Sequence, residues 1–299
     1  MLELLCSYDF LVVAAGTMIL AATSAVAGCL CVYKGQSLLG DAIGHSSYPG
    51  IVLAFICFAT RNPLLLTVGA ALAGAVAYKI IQVLARYGHV GLDASLAIVL
   101  TGFFGLGMAL KTYVQGNPAY AKASQAGLKN YIFGSAAFMM KEDVVVIAVF
   151  SLLAIVLFEL FRKELVTGIF DPSFAGAISL RAGLLDGILL VIMISLIALG
   201  LKCVGAVLIS SLLVIPCICA NQHSRKLDVI LKIAAATGAL SAFVGTLVST
   251  AVRGVSTGPA IIICMGLAAF VSMVFGRWGL LRRWRQKAEL RSCLKSSGR

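Results

Sequence analysis

A chain of 299 residues that is 61% hydrophobic and only 12% charged lies far from the roughly 45–50% apolar and about 25% charged make-up of soluble domains. Its mean hydropathy of +1.02 excludes a water-soluble globule as the carrier of its function. The formal charge of +12 does not point to nucleic acid, because eight of the 24 Lys and Arg side chains crowd into the tail from Arg277 to Arg299.

A hydrocarbon layer about 30 Å thick takes about 20 helical residues to cross, and runs of that kind follow one another along the chain. The first is Phe10–Tyr33. Glu3 and Asp9 precede it without any Lys or Arg, so it lacks the positive n-region of a cleaved signal and is expected to be a retained helix. Leu38–Phe58, Leu64–Leu84, Ala94–Leu110 and Val144–Phe161 come next, then Leu184–Leu201, Val204–Ala220, Val229–Val252 and Pro259–Gly276. The two runs flanking Lys202 read either as two spans or as one span and a re-entrant piece. The expected fold is therefore an all-α, polytopic transmembrane helical bundle of eight or nine spans over residues 1–282, followed by a basic cytoplasmic tail, 283–299. Nothing in it points to the reactive constellation of an enzyme: His-Glu-x-x-His is absent, and Gly35-x4-Gly40-Asp41 sets an anion where a phosphate loop needs lysine.

With the N-terminus outside, seventeen Lys and Arg fall on the inner side and seven on the outer, the asymmetry of the positive-inside rule. The longest outer connection is Lys111–Asp143. The longest inner one, Arg162–Gly183, contains Asp171-Pro172, an N-cap acid followed by a proline at the first helical position, so a short cytoplasmic helix is expected over 172–180. Nine cysteines include the pairs Cys29/Cys31 and Cys217/Cys219. Residues two apart on a helix point about 200° away from each other, so neither pair can grip one ion and all read as small buried apolar residues.

The second span is the least lipid-like, running Ser37-Leu38-Leu39-Gly40-Asp41-Ala42-Ile43-Gly44-His45-Ser46-Ser47-Tyr48-Pro49-Gly50. An ionised Asp near mid-membrane costs on the order of 3 kcal/mol on insertion scales and faces protein, water or a partner. Asp41 and His45 are four apart, hence on one face about 6 Å apart along the axis, where both can converge on one cation. Carboxylate oxygen with imidazole nitrogen suits zinc, manganese or ferrous iron better than calcium or magnesium. Pro49 has no N–H for the His45 carbonyl, so the helix is expected to kink there and free that oxygen, as in the broken helices of transporters. The plainer alternative is a headgroup-level Asp41, a His45 bonded to a neighbouring helix and an ordinary proline kink. Asp93, at the inner start of the fourth span, is either a third ligand or a helix cap. Asp186 and Glu159 read as span-end groups, His89 and His223 as solvated loop residues.

Leu39-Gly40-Asp41-Ala42-x-x-His45-x-x-x-Pro49-Gly50 resembles the membrane permeases of the zinc/manganese/iron family of binding-protein-dependent ABC importers. Leu92-Asp93-Ala94-Ser95-Leu96-Ala97-Ile98, Tyr131-Ile132-Phe133-Gly134-Ser135 with Lys141-Glu142-Asp143, Phe170-Asp171-Pro172-x-Phe174-Ala175, and Val204-Gly205-Ala206-Val207-Leu208 running on to Pro216 extend the likeness, in the family's order, over about 10–276. Gly44, Ser173 and Ser179 depart from it. The resemblance implies a permease subunit of the bacterial cytoplasmic (inner) membrane and not an enzyme, powered by a separate cytoplasmic ATPase, fed by an extracytoplasmic metal-binding protein, and paired as a homodimer. It further implies that Asp171, Pro172, Phe174 and Ala175 belong to a coupling helix, that Pro216 kinks a later span, and that no cofactor is held permanently. Manganese, zinc or iron would be cargo at Asp41 and His45, with Asp93 beside them. A proton-coupled secondary metal transporter, with Asp41 and His45 relaying protons, is the competing expectation.

Overall fold

The computed structural model describes residues 8–58, 62–117, 136, 139–180, 182–252 and 254–279. The expected tail 283–299 and the outer segment Tyr131–Ser135 lie outside the described residues. Twelve helices are present among those described and no strand: α1 (Tyr8–Tyr33), α2 (Leu39–Ser46), α3 (Tyr48–Phe58), α4 (Pro63–Tyr87), α5 (Leu92–Gly116), α6 (Lys141–Leu160), α7 (Arg162–Phe170), α8 (Pro172–Ala177), α9 (Ala182–Cys203), α10 (Ala206–Asn221), α11 (Leu227–Ala251) and α12 (Thr257–Phe275). Seven of them, α1, α4, α5, α6, α9, α11 and α12, are long and apolar enough to cross a membrane.

The remaining crossings are made of shorter pieces. The second expected span is divided at Ser47 into α2 and α3. At 1.5 Å per residue, α10, with 16 residues, is about 24 Å long, short of a typical hydrocarbon layer. It is nevertheless a separate helix, because Gly205 turns the chain between α9 and α10 with φ 85°, a conformation glycine adopts without the Cβ penalty.

Ion pairs and caps gather at the two ends of the bundle. At one end Lys202 of α9 pairs with Asp143 of α6, and Ser249 of α11 meets Thr257 of α12, 3.0 Å apart. At the other, Lys34 beyond α1 pairs with Asp186 of α9 at 2.5 Å, Arg162 of α7 with Asp228 of α11, and Arg225 lies over the Trp278 ring at 4.7 Å. Counting α2–α3 as one broken crossing and α10 as a short one, the described chain traverses the bundle nine times, the larger of the two numbers expected.

α1 is the most enclosed of the long helices and packs against α11, α10, α6 and α9. In lipid the hydrophobic effect does not drive helices together, so close approach through small residues does. A Cβ on Gly28 of α1 would overlap the Leu213 backbone of α10, and one on Gly238 of α11 would stand 3.0 Å from the Ala21 carbonyl oxygen of α1. A second group, α2–α3 with α4 and α5, closes through Gly50 and Gly69, where a Cβ on Gly69 would lie 2.6 Å from the Gly50 carbonyl oxygen. α10 packs against both α1 and α2 and so joins the two groups.

Candidate metal-binding site

α2 is eight residues long, with Asp41 in its first turn and His45 in its last. Leu39, Gly40, Ala42, Ile43, Gly44 and Ser46 are all buried, which leaves the two polar side chains on the one open face. His45 Nε2 stands 3.3 Å from Asp41 Oδ1, the imidazole 20% exposed and the carboxylate 40%. Metal–donor bonds of about 2.1 Å set neighbouring donors about 3.0 Å apart at 90° and about 3.4 Å apart at a tetrahedral angle. The observed separation falls inside that interval, so one cation could take both donors with the side chains where they stand.

Two further side chains complete the surroundings. Phe104 of α5 meets the His45 ring in a T-shaped contact, centroids 5.0 Å apart and planes at 81°, and its other neighbour is Tyr48, at 6.3 Å. Such an aromatic contact is worth about 0.5–1.5 kcal/mol and restrains the imidazole. The Ser210 side chain of α10 lies near the Asp41 carboxylate, its hydroxyl donating to the Val207 carbonyl at 3.2 Å. Phe104 was not singled out from the sequence, where an aromatic in an apolar helix carries no mark of its own; Ser210 stood there only as one position of the stretch from Val204 to Pro216, with no role at the pair.

Asp93 is not brought to this pair. It sits exposed in the first turn of α5, where a carboxylate complements the positive helix end, although the N-cap itself is Gly91. Among the described residues no group of three His, Cys, Asp or Glu side chains comes together that could hold a metal. Ser47, between α2 and α3, keeps right-handed helical geometry at φ −73° and ψ −21°, and both its N–H and its hydroxyl bond the Ile43 carbonyl, at 2.9 and 2.8 Å. Pro216 lies inside α10, which runs on to Asn221. His89 and His223 are exposed, His223 Nδ1 lying 3.1 Å from the Cys219 carbonyl oxygen. Asp186 pairs with Lys34, and Glu159 with Arg162 at 3.4 Å. The described members of the cysteine pairs are buried; Cys29 of one meets Cys217 of the other across the α1–α10 contact.

At the Lys34 end, Asp171 caps α8 through its Oδ1, which accepts the Phe174 N–H at 2.9 Å. Pro172 is the first helical residue and Ala175 is buried. The helix is shorter than the expected 172–180: it ends at Ala177, and Ser179 turns the chain at φ 57°. Phe170, Phe174 and Ile178, spaced four apart, are all half-exposed.

The chain matches the ABC 3 transport family over residues 7–276. It belongs to that family. It is 34% identical over 289 residues to the zinc transport system membrane protein TroC of Treponema pallidum, covering 96% of both chains. It is 36% identical over 262 residues to the manganese transport system membrane protein MntC of Bacillus subtilis, which takes in 88% of this chain but only 60% of that relative's length. Among solved structures, PsaBC from Streptococcus pneumoniae in complex with Fab superimposes with a TM-score of 0.80, covering 93% of this chain and 95% of that one at 22% identity. That likeness establishes the fold.

Proposed function

We propose that this chain is the membrane permease subunit of an ABC importer that moves a divalent transition metal, manganese, zinc or iron, across the bacterial cytoplasmic membrane. The observation that carries it is the Asp41–His45 pair, an oxygen and a nitrogen donor 3.3 Å apart on the open face of α2. The names of its relatives, manganese and zinc transport membrane proteins, support the same choice of cargo. A transition ion takes four or more ligands. In this reading the rest come from water, from the His45 carbonyl that Pro49 leaves without its helical partner, and from a second copy of the chain across the path. Asp93, at the same end of the bundle, would then meet the ion on the inner side.

The chain performs no chemistry on its cargo and holds no cofactor. Energy comes from a cytoplasmic ATPase that docks on α8 through Asp171, Pro172, Phe174 and Ala175, and metal arrives from an extracytoplasmic binding protein. The N-terminus lies outside and the C-terminal tail inside. Family membership favours ATP over a proton gradient as the driving force. The deciding experiment is uptake of radioactive manganese and zinc into vesicles holding the permease with and without its ATPase. ATP-dependent accumulation is expected. Uptake driven by a proton gradient without the ATPase would replace the importer with a secondary transporter.

A further inference from the structure

Both flanks of α8 are tied to one dipeptide at the end of α1. On the leading flank, Phe170 packs its ring on Tyr33, centroids 5.3 Å apart and planes at 47°. On the trailing flank, Asp186 pairs with Lys34 at 2.5 Å. Tyr33 also donates its hydroxyl hydrogen to Asn221 Oδ1 at the last residue of α10. Two turns back along α10, Leu213 is wedged between Gly28 of α1 and Gly40 of α2, where a Cβ on either glycine would run into it. Gly40 precedes Asp41.

We propose that Tyr33 and Lys34 form the joint through which displacement of α8 reaches the Asp41–His45 pair, with Tyr33 as a positioning residue that drives α10 through Asn221. This rests on the docking role proposed above for α8. α10 runs without interruption from Leu213 to Asn221, although Pro216 removes one backbone hydrogen bond from it, so a displacement at Asn221 is carried along the axis to Leu213, which packs closely against α1 and α2. The α7 side of the joint does have room. A cavity of about 40 Å³ lies beside the ion pair between α7 and α9, lined by Leu165, Gly168, Asp186 and Leu189 among others. The Tyr33 hydroxyl is an economical coupling element: its bond to Asn221 adds nothing to either donor at the metal pair, which lies on a different helix.

The test uses the full permease with its ATPase in vesicles, reading manganese uptake and ATP hydrolysis together. Tyr33→Phe keeps the ring on Phe170 and removes only the bond to Asn221; Asn221→Leu removes it from the other side. Each is expected to lower ions transported per ATP about tenfold while changing co-purification of the ATPase less than twofold, and the double variant is expected to fall no further than either alone. A bond that merely stabilises the fold would lower yield and leave ions per ATP unchanged. An unchanged ratio in either single variant, or additive losses in the double, overturns the joint. Failure of the docking role shows elsewhere: a Phe174→Asp permease that still binds the ATPase removes that role whatever Tyr33→Phe does.

Discussion

Asp41 and His45 meet because they are one helical turn apart, and the contact between them needs nothing from the rest of the molecule. Their isolation on the open face of α2, by contrast, is produced by the burial of every other polar-face neighbour from Gly40 to Ser46. Asp41→Asn keeps the shape of the side chain and removes its charge, so membrane insertion is expected to be unchanged while metal uptake falls to background; wild-type uptake at wild-type abundance would remove the pair as the metal site. Phe104→Ala is expected to leave assembly intact and raise the metal concentration for half-maximal uptake about two- to twelvefold. That is the amount by which loss of an aromatic contact of about 0.5–1.5 kcal/mol weakens a restrained ligand, and a titration of uptake against metal reads it. Pairing at a four-residue spacing is legible in a sequence. The ring that holds the imidazole is not, since Phe104 is 59 positions beyond His45 and looks like any apolar residue of a spanning helix.

α8 shows how much of an element local chemistry can specify. Asp171 and Pro172 mark a helix start in the sequence, and the Asp171 carboxylate does accept the Phe174 N–H. Its end was less legible: Ile178-Ser179-Leu180 contains no glycine or proline to stop a helix, yet Ser179 takes a left-handed conformation at φ 57° and the helix stops at Ala177. Phe170, Phe174 and Ile178 then stand half-exposed in a row, which is costly in water and suits an apolar contact. Phe174→Asp is expected to abolish co-purification of the ATPase, because an unpaired carboxylate buried in such a contact costs several kcal/mol, about tenfold in affinity for each 1.4 kcal/mol. The same variant should insert in the membrane at normal abundance. α2–α3 carries the complementary lesson: Ser47 keeps right-handed helical geometry at φ −73° and ψ −21°, and its N–H still bonds the Ile43 carbonyl, so the interruption comes down to the one hydrogen bond that Pro49 has no N–H to make.

Across the whole bundle, charged side chains collect at two levels, Lys202 with Asp143 at one and Lys34, Asp186, Arg162 and Asp228 at the other. An odd number of traverses puts the ends of the described bundle on opposite sides. With single cysteines introduced into a cysteine-free background, Val255→Cys is expected to react with an impermeant maleimide on intact cells and Lys226→Cys only after permeabilisation. The opposite pattern would invert the orientation deduced from the distribution of Lys and Arg. Both positions are exposed, so accessibility depends on the side of the membrane and not on burial.

The sequence by itself determined the class of the protein, the succession of its spans, the adjacency of Asp41 and His45 and the start of α8. Each of these depends on rise per residue, the thickness of hydrocarbon or a cap within one turn, all of them local. Only the tertiary structure decided that Phe104 and Ser210 surround the pair, that Asp93 does not join it, that Cys29 meets Cys217, and that Tyr33 and Lys34 reach both flanks of α8. In a soluble domain an apolar stripe tells which face turns inward. Here lipid is as apolar as the bundle interior, so hydropathy does not distinguish a helix face that packs from one that does not, and the choice passes to the fit of Gly28, Gly40, Gly50 and Gly69 against their neighbours.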